Sequence, residues 1–225
     1  MLAFSHHDSV EAAVDACATL IIRAITDALA KQAKTAFMAS GGRLPAQVLP
    51  RVAAGLHCWD QVLVLASDER YVPADHVDSN QSTIRMGLAA TDRPIEYLGL
   101  EFSLPLDEAC RLYESKLSRA VWPPAVAFLG MGPDGHTASL FPHRPEVDDD
   151  VARVLPVPET PPHLHPRLTH GTRSLLEAQR IVLVVNGAEK QAVLERAMRP
   201  NANAADTPIT KILKNTTTPV HVMVC

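Results

Sequence analysis

The feature that most constrains the fold is the alternation of short apolar runs with stretches of helical period. The apolar runs lie at 35–39, 61–66, 125–129, 180–185 and 220–224. Runs of this length that are apolar throughout are typical of strands buried on both faces, and amphipathic helices between them supply the crossovers that parallel strands need. The sequence therefore predicts an α/β fold with a parallel sheet covered by helices on both faces.

Capping residues predict where several of the helices begin. Asp8 or Ser9 precedes an amphipathic stretch that ends around 31–34, and Ser79 precedes a helix that carries Arg85 and Met86. Further helices are expected from Pro45 to about 56, over 107–120, from 188 to about 198 and over 208–214. A short strand is expected at 95–98.

Size, charge and cysteine content exclude several classes of protein. The 225 residues suffice for one domain, 1–225, and the net charge of −4 with 4% aromatic residues argues against nucleic-acid binding. No apolar run approaches membrane-spanning length, and the N-terminus lacks the basic segment of a signal peptide. The four cysteines are far apart without a C-x-x-C pair, as in a reduced, cytoplasmic protein.

A glycine turn joins the first predicted strand to a helix. Ser40, Gly41, Gly42 and Arg43 precede Pro45, which suits the first turn of a helix. Such a turn presents backbone N–H groups to an anion, and Ser40 and Arg43 add a hydroxyl and a cation. A simple tight turn is the alternative. The motif is neither a Walker A loop nor a G-x-G-x-x-G fingerprint, so nucleotide binding is not indicated.

Two further charged segments follow predicted strands. Asp68, Glu69 and Arg70 come at the carboxyl end of a strand, where parallel sheets bind ligands, although an exposed Asp–Arg pair is an alternative. Lys190 lies in the first turn of a helix, where the helix dipole disfavours a cation. It is either an ordinary surface lysine or a cation directed at a bound anion.

The segment 130–142 carries the residues best suited to catalysis. It follows a buried strand and contains three glycines within six residues, together with Asp134 and His136. A carboxylate and an imidazole on such a loop can transfer protons near neutral pH. The alternative is a strand-to-helix turn in which Asp134 caps the helix.

The histidines of the proline-rich segment after residue 150 raise the question of a metal. His163, His165 and His170 lie close together in sequence, but no neighbouring carboxylate or cysteine completes a recognisable ligand set. We expect no metal and no cofactor.

Five motifs in order resemble those of the 6-phosphogluconolactonases, in the wider family that also contains glucosamine-6-phosphate deaminases. The motifs are Ser40–Pro45, Asp68–Pro73 with Ser79-Asn80, Gly130–Pro142, Arg167–Thr169 and Gly187–Lys190. The resemblance implies a Rossmann-like three-layer sandwich. It also implies a cytoplasmic, metal-independent and monomeric esterase of the pentose phosphate pathway, acting on 6-phospho-D-glucono-1,5-lactone.

The resemblance also implies roles for individual residues. His136 would be the general base for water, oriented by Asp134, with Arg70 contacting the oxyanion or ring hydroxyls. No G-x-S-x-G elbow is present, which disfavours a serine nucleophile. The phosphate would be held by Gly41, Gly42, Arg43, Arg167 and Lys190, and further substrate contacts would come from Ser40, Asp68, Glu69 and Thr137.

The sequence departs from the family pattern at two places, and two alternative functions remain. Leu44 stands where family members commonly have threonine, and His170, Gly171 and Thr172 are less typical of the family. Glucosamine-6-phosphate deamination is one alternative, but residues 137–142 lack the further acidic residue of the deaminases. A non-catalytic sugar-phosphate sensor is the other, although no helix-turn-helix is evident.

Overall fold

Strands and helices alternate along the chain, and the computed structural model describes residues 1–91, 93–159 and 164–225. The strands are β1 (Leu2–His6), β2 (Thr35–Ala39), β3 (Val62–Ala66), β4 (Asp68–Arg70), β5 (Glu96–Leu98), β6 (Val126–Gly130), β7 (Val154–Val157), β8 (Arg167–His170), β9 (Ile181–Val185) and β10 (Val220–Val224). The helices are α1 (Val10–Leu29), α2 (Pro45–Gly55), α3 (Asn80–Gly87), α4 (Leu106–Leu117), α5 (Thr172–Leu176), α6 (Ala188–Ala197) and α7 (Ile209–Leu213).

Seven of the described strands form one parallel sheet. Its order is β1-β10-β9-β6-β2-β3-β5, and every neighbouring pair is parallel. From β2 the chain moves outward to β3 and β5, and then returns to β6 on the other side of β2. The direction of strand addition therefore reverses between β2 and β6, which is where open parallel sheets bind ligands.

Helices cover both faces of this sheet, as predicted. Phe37 of β2 packs in a cluster with α1, α2 and α3, whereas its neighbour Met38 belongs to a cluster with α4, α5, α6 and α7. Successive side chains of a strand point to opposite faces, so each central strand contributes to both clusters. Full burial of a side chain such as Phe37 stabilises the fold by about 1.5–3 kcal/mol relative to exposure.

A smaller antiparallel sheet, β4-β8-β7, was not predicted. Its strands have three or four residues, and β7 contains Pro156, so the usual period-2 signal is too short to recognise. The register of β4 and β8 sets Arg70 directly opposite Arg167. Residues from two distant motifs are thereby brought together.

The ends of the larger elements agree with the capping signals. The side chain of Ser9 accepts the N–H of Ala12 at the start of α1, and that of Ser79 accepts the N–H of Ser82 at the start of α3. The edge strand β1 was missed because its apolar run, residues 2–4, is short and is followed directly by Ser5 and His6. Among the described residues, no helix is both long and apolar enough to cross a membrane.

Candidate active site

A cleft of about 520 Å³ opens where the strand order reverses. Its walls come from β4, from β8, from the loops after β2 and β6, and from the end of β9 with the first turn of α6. The predicted site residues that line it are Ser40, Gly41, Gly42, Arg43, Asp68, Arg70, His136, Arg167 and Lys190.

His136 and Asp134 form a hydrogen-bonded pair beside this cleft. Nδ1 of His136 lies 2.6 Å from Oδ1 of Asp134, which also accepts the backbone N–H of His136 at 3.1 Å. Partial burial raises the pKa of Asp134, but the hydrogen bonds and charge of His136 outweigh it and lower the pKa to about 2. The carboxylate therefore stays ionised and directs Nε2, the other ring nitrogen, away from itself.

The turn that carries this pair depends on glycine. The N–H of Gly132 donates to the carbonyl of His136 at 2.9 Å, and Gly135 has a φ of +85°. A Cβ at Gly132 would lie 2.2 Å from Nδ1 of His136. The bridge between Thr137 and Leu140 replaces the helix that Asp134 would have capped, so the helix-cap alternative is wrong.

Phe141 packs between His136 and Arg167. Its ring centroid is 4.9 Å from that of His136, and the guanidinium carbon of Arg167 lies 5.3 Å from the same ring. Phe141 is buried, so it gives the imidazole and the guanidinium a common rigid neighbour.

Asp68 is the centre of a buried polar network. Its Oδ2 accepts the hydroxyl of Ser139 at 2.5 Å and lies 3.6 Å from Nη1 of Arg167. Its Oδ1 accepts from the side chains of Ser67 and Asn80. Burial lowers the pKa of Arg167, and the charge of Asp68 opposes that shift. The network holds Arg167 in place without consuming all of its donors.

Arg70 is positioned by Asn80 and by the backbone. Its Nη1 donates to Oδ1 of Asn80 and to the carbonyl of Asp78, each at 2.9 Å. Within the described chain, the buried Nε atoms of Arg70 and Arg167 have no hydrogen-bond partner. The two guanidinium groups both line the cleft, and their residues lie opposite each other in the register of β4 and β8.

Arg43 and Lys190 form a second cationic group. Burial lowers the pKa of Lys190, and the charge of Arg43 lowers it further. Neither side chain forms an ion pair with a carboxylate in the part of the chain that the structure describes. They lie with Gly42 and the N-terminus of α2 in the same cleft, and that helix start has no side-chain cap. Such an arrangement favours an anion.

Three predicted site residues do not line the cleft. Glu69 is buried behind it and accepts the N–H groups of Arg70, Asn80 and Gln81, so it anchors the start of α3. Thr137 is fully buried and donates to the carbonyl of Gly130. Neither side chain lines the cleft, where direct contact with substrate was expected. Asp134 does not line the cleft either, but it is hydrogen-bonded to His136, which does.

Of the three histidines considered for a metal, the two that the structure describes have different partners. His170 is buried between Tyr113 and Trp122, with Nδ1 2.7 Å from the hydroxyl of Ser174. Burial lowers its pKa to about 4, so it is neutral at physiological pH. His165 instead contacts Asp78, and His163 lies outside the described residues.

The sequence analysis missed two residues that organise the cleft. Asn80 was identified as part of a motif and a helix cap, and Ser139 only as part of the segment 130–142. Asn80 joins Asp68 to Arg70, and Ser139 donates to Asp68. These roles depend on partners from other segments of the chain, so the sequence does not reveal them.

Comparisons with known proteins bear on the whole chain. The family model of glucosamine-6-phosphate isomerases/6-phosphogluconolactonase matches residues 8–221. A 6-phosphogluconolactonase of Caulobacter vibrioides is 36% identical over 221 residues, which cover 93% of this chain and 91% of that protein. A 6-phosphogluconolactonase of Pseudomonas aeruginosa is 35% identical over 183 residues, covering 77% of this chain and 76% of that protein.

Solved structures show the same architecture. The crystal structure of a 6-phosphogluconolactonase from Shewanella baltica superposes with a TM-score of 0.90 at 26% identity, covering 100% of this chain and 97% of that one. That of a 6-phosphogluconolactonase from Thermotoga maritima gives 0.84 at 27% identity, covering both chains completely.

Proposed function

The chain belongs to the glucosamine-6-phosphate isomerase/6-phosphogluconolactonase family, and we propose that its cleft hydrolyses 6-phospho-D-glucono-1,5-lactone with His136 as general base. Relatives named 6-phosphogluconolactonase make it a hydrolase of the pentose phosphate pathway that forms 6-phospho-D-gluconate. The assignment of individual residues below is our proposal, derived from the geometry of the cleft.

The phosphate is assigned to the end of the cleft with Arg43 and Lys190. Burial and then the charge of Arg43 lower the pKa of Lys190, and a dianion bound beside both side chains stabilises their positive charges. The backbone N–H groups of Gly41 and Gly42 supply further donors, and charge-assisted hydrogen bonds of this kind are the strong ones. Arg167 adds a donor from the Asp68 side. Leu44 contributes no hydroxyl here, so the phosphate depends on backbone and cations.

Arg70 is assigned to the carbonyl oxygen of the lactone. Its guanidinium is held by Asn80 and lines the cleft. Addition of water converts the carbonyl oxygen into an oxyanion, and a donor already oriented toward that oxygen stabilises the charge as it forms. The opposed Arg167 increases the positive potential at this position.

The proton transfers are assigned to His136. Nε2 takes a proton from water while the water oxygen bonds to C1 of the lactone, giving a tetrahedral oxyanion. Collapse re-forms the carbonyl and breaks the bond between C1 and the ring oxygen, which takes the proton back from the imidazolium. Asp134 stabilises the imidazolium at Nδ1, as a carboxylate does in hydrolytic triads.

A single observation carries this proposal: the His136–Asp134 pair and the Arg43–Lys190 pair lie at one cleft, although residues 43 and 190 are far apart in sequence. A general base without an anion-binding site would not select a phosphorylated lactone. An anion-binding site without a general base would bind the lactone but not hydrolyse it.

The experiment is acid release at constant pH after adding fresh 6-phosphogluconolactone to the purified protein. The proposal predicts release well above the uncatalysed rate and no ammonia from glucosamine 6-phosphate. Ammonia release without lactone hydrolysis would assign the protein to the deaminases. Binding of the sugar phosphate without either reaction would make it a sensor.

We further propose that residues 1–225 act as one domain, as a monomer in the cytoplasm, without nucleic-acid or membrane partners. The four cysteines are free thiols, which supports a reducing compartment.

A further inference from the structure

Three potential metal ligands meet at a surface outside the cleft. His76 and Asp78 lie between β4 and α3, whereas His165 lies just before β8. One ligand atom from each lies within 4.8 Å of the other two, and this is the one such group of three among the described residues. We call these residues the His–Asp–His cluster.

Two of the three distances within the cluster are close to those around a tetrahedral ion. Nε2 of His165 lies 3.0 Å and Nδ1 of His76 lies 3.8 Å from Oδ2 of Asp78. Ligand atoms about 2.0–2.1 Å from a zinc ion at tetrahedral angles are about 3.3 Å apart. The two measured separations bracket this value, so small side-chain rotations suffice to bind an ion.

Metal binding would replace two hydrogen bonds in the cluster. Nδ1 of His76 accepts the backbone N–H of Asp78 at 3.1 Å, and Nε2 of His165 lies 3.0 Å from Oδ2 of Asp78. An ion would take the place of the hydrogen at each of these nitrogens. The side chains are between 28% and 52% exposed, so an ion can reach them from solvent.

We propose that His76, Asp78 and His165 form a site for a divalent transition-metal ion, with zinc as the best match. Two imidazoles and one carboxylate suit zinc and its neighbours in the first transition row, whereas magnesium and calcium prefer all-oxygen ligands. Three protein ligands leave the remaining position to water. No metal was expected from the sequence, because no carboxylate or cysteine near His163, His165 and His170 completes a ligand set; His76 and Asp78 are distant from His165 in sequence.

The site would connect two segments at the edge of the cleft. Asp78 supplies the carbonyl that accepts from Arg70, and His165 precedes the strand that begins with Arg167. An ion bound between them would therefore restrain the backbone on either side of the two guanidinium groups. Binding is expected to raise the thermal stability of the protein without being required for turnover.

The test is titration of the metal-free protein with Zn²⁺, and with Co²⁺ as a spectroscopic probe of coordination. His76→Ala and His165→Ala each remove one ligand. His143→Ala is the matched control, because His143 also faces a carboxylate, Asp206 at 3.6 Å, but belongs to no group of three in the described chain. Circular dichroism and thermal unfolding without added metal report whether each variant is folded.

The proposal predicts that the wild type and His143→Ala bind one ion equally well, with a visible Co²⁺ spectrum of low-symmetry coordination. Each cluster variant should weaken binding by more than about tenfold, since loss of even an outer partner of a ligand costs 10- to 100-fold. Equal binding by all four proteins, or no binding by the wild type, would overturn it. These outcomes are independent of whether the cleft hydrolyses lactones.

Discussion

The imidazole of His136 lies directly against the α-carbon of Gly132. A Cβ at Gly132 would come within 2.2 Å of both Nδ1 and Cε1 of the ring, and within 2.6 Å of Oδ1 of Asp134. The His136–Asp134 pair thus occupies the space that a side chain at position 132 would fill. This explains physically why the turn needs glycine at a position whose φ is not left-handed.

Gly132→Ala is therefore expected to lower kcat by about 10²-fold, because the methyl group must displace the ring, and a displacement of about 1 Å can cost that much. Steady-state kinetics with the phosphorylated lactone measure the effect. Gly130→Ala is the matched control, since a Cβ there meets nothing within 4 Å, and its kcat should stay near the wild-type value. Wild-type kcat in Gly132→Ala would show that the ring position is not critical.

Asn80 is expected to support activity by positioning the side chains of Arg70 and Asp68. Asn80→Ala removes the hydrogen bonds of the amide to Arg70 and to Asp68. A hydrogen bond to a charged group contributes about 1.5–3 kcal/mol, so kcat/KM should fall about 10- to 100-fold. A Cβ on Gly41 would lie 2.0 Å from Oδ1 of Asn80, so Gly41→Ala should act mainly by displacing that amide.

A double-mutant cycle checks this coupling. If Gly41→Ala acts through Asn80, the double variant should be no worse than Asn80→Ala alone. Losses in kcat/KM that multiply would contradict the coupling and point to a separate role for Gly41, such as its backbone N–H.

Lys190→Ala is expected to raise KM for the phosphorylated lactone by about 10-fold or more, with a smaller change in kcat, because a charge-assisted contact to the phosphate is lost in both ground and transition states. The KM for the unphosphorylated lactone should not change. Lys34→Ala is the control, since Lys34 pairs with Glu96 at the surface. An equal effect of Lys190→Ala on both lactones would remove Lys190 from the phosphate site.

The buried His170 should make the fold sensitive to acid. Burial lowers its pKa to about 4 from 6.5, so between these values the unfolded chain binds a proton that the folded chain does not. Stability is complete above pH 6.5 and is lost as the pH falls toward 4, by about 3 kcal/mol at most. Denaturant unfolding at several pH values measures this slope, which His170→Gln should reduce; an unchanged slope would contradict it.

Local sequence patterns predict the central sheet well. The buried runs that became β2, β3, β6, β9 and β10 carry a signal within five residues, and the caps Ser9 and Ser79 mark α1 and α3. The antiparallel sheet was not predicted because its strands are short and because β4 pairs with β8, which is distant in sequence. The apolar part of β1, residues 2–4, is too short to predict a strand.

For the site, loop position after a strand predicts most of the residues that line the cleft. It does not predict which side of the backbone a side chain takes. Asp68 and Glu69 are adjacent, yet Asp68 lines the cleft while Glu69 points to the start of α3, because successive residues of the strand β4 alternate. Contacts such as that between Asn80 and Asp68 join separate segments of the chain, so they can be recognised only in the three-dimensional structure.

The central claim is that His136 moves the proton in lactone opening, and steady-state kinetics of His136→Ala test it most directly. His143→Ala, which alters a histidine beside Asp206 outside the cleft, serves as the control. The account predicts a kcat about 10²- to 10⁴-fold below wild type for His136→Ala, with KM changed only a few-fold, and near-normal values for the control. A His136→Ala enzyme that turns over lactone at the wild-type rate would contradict it.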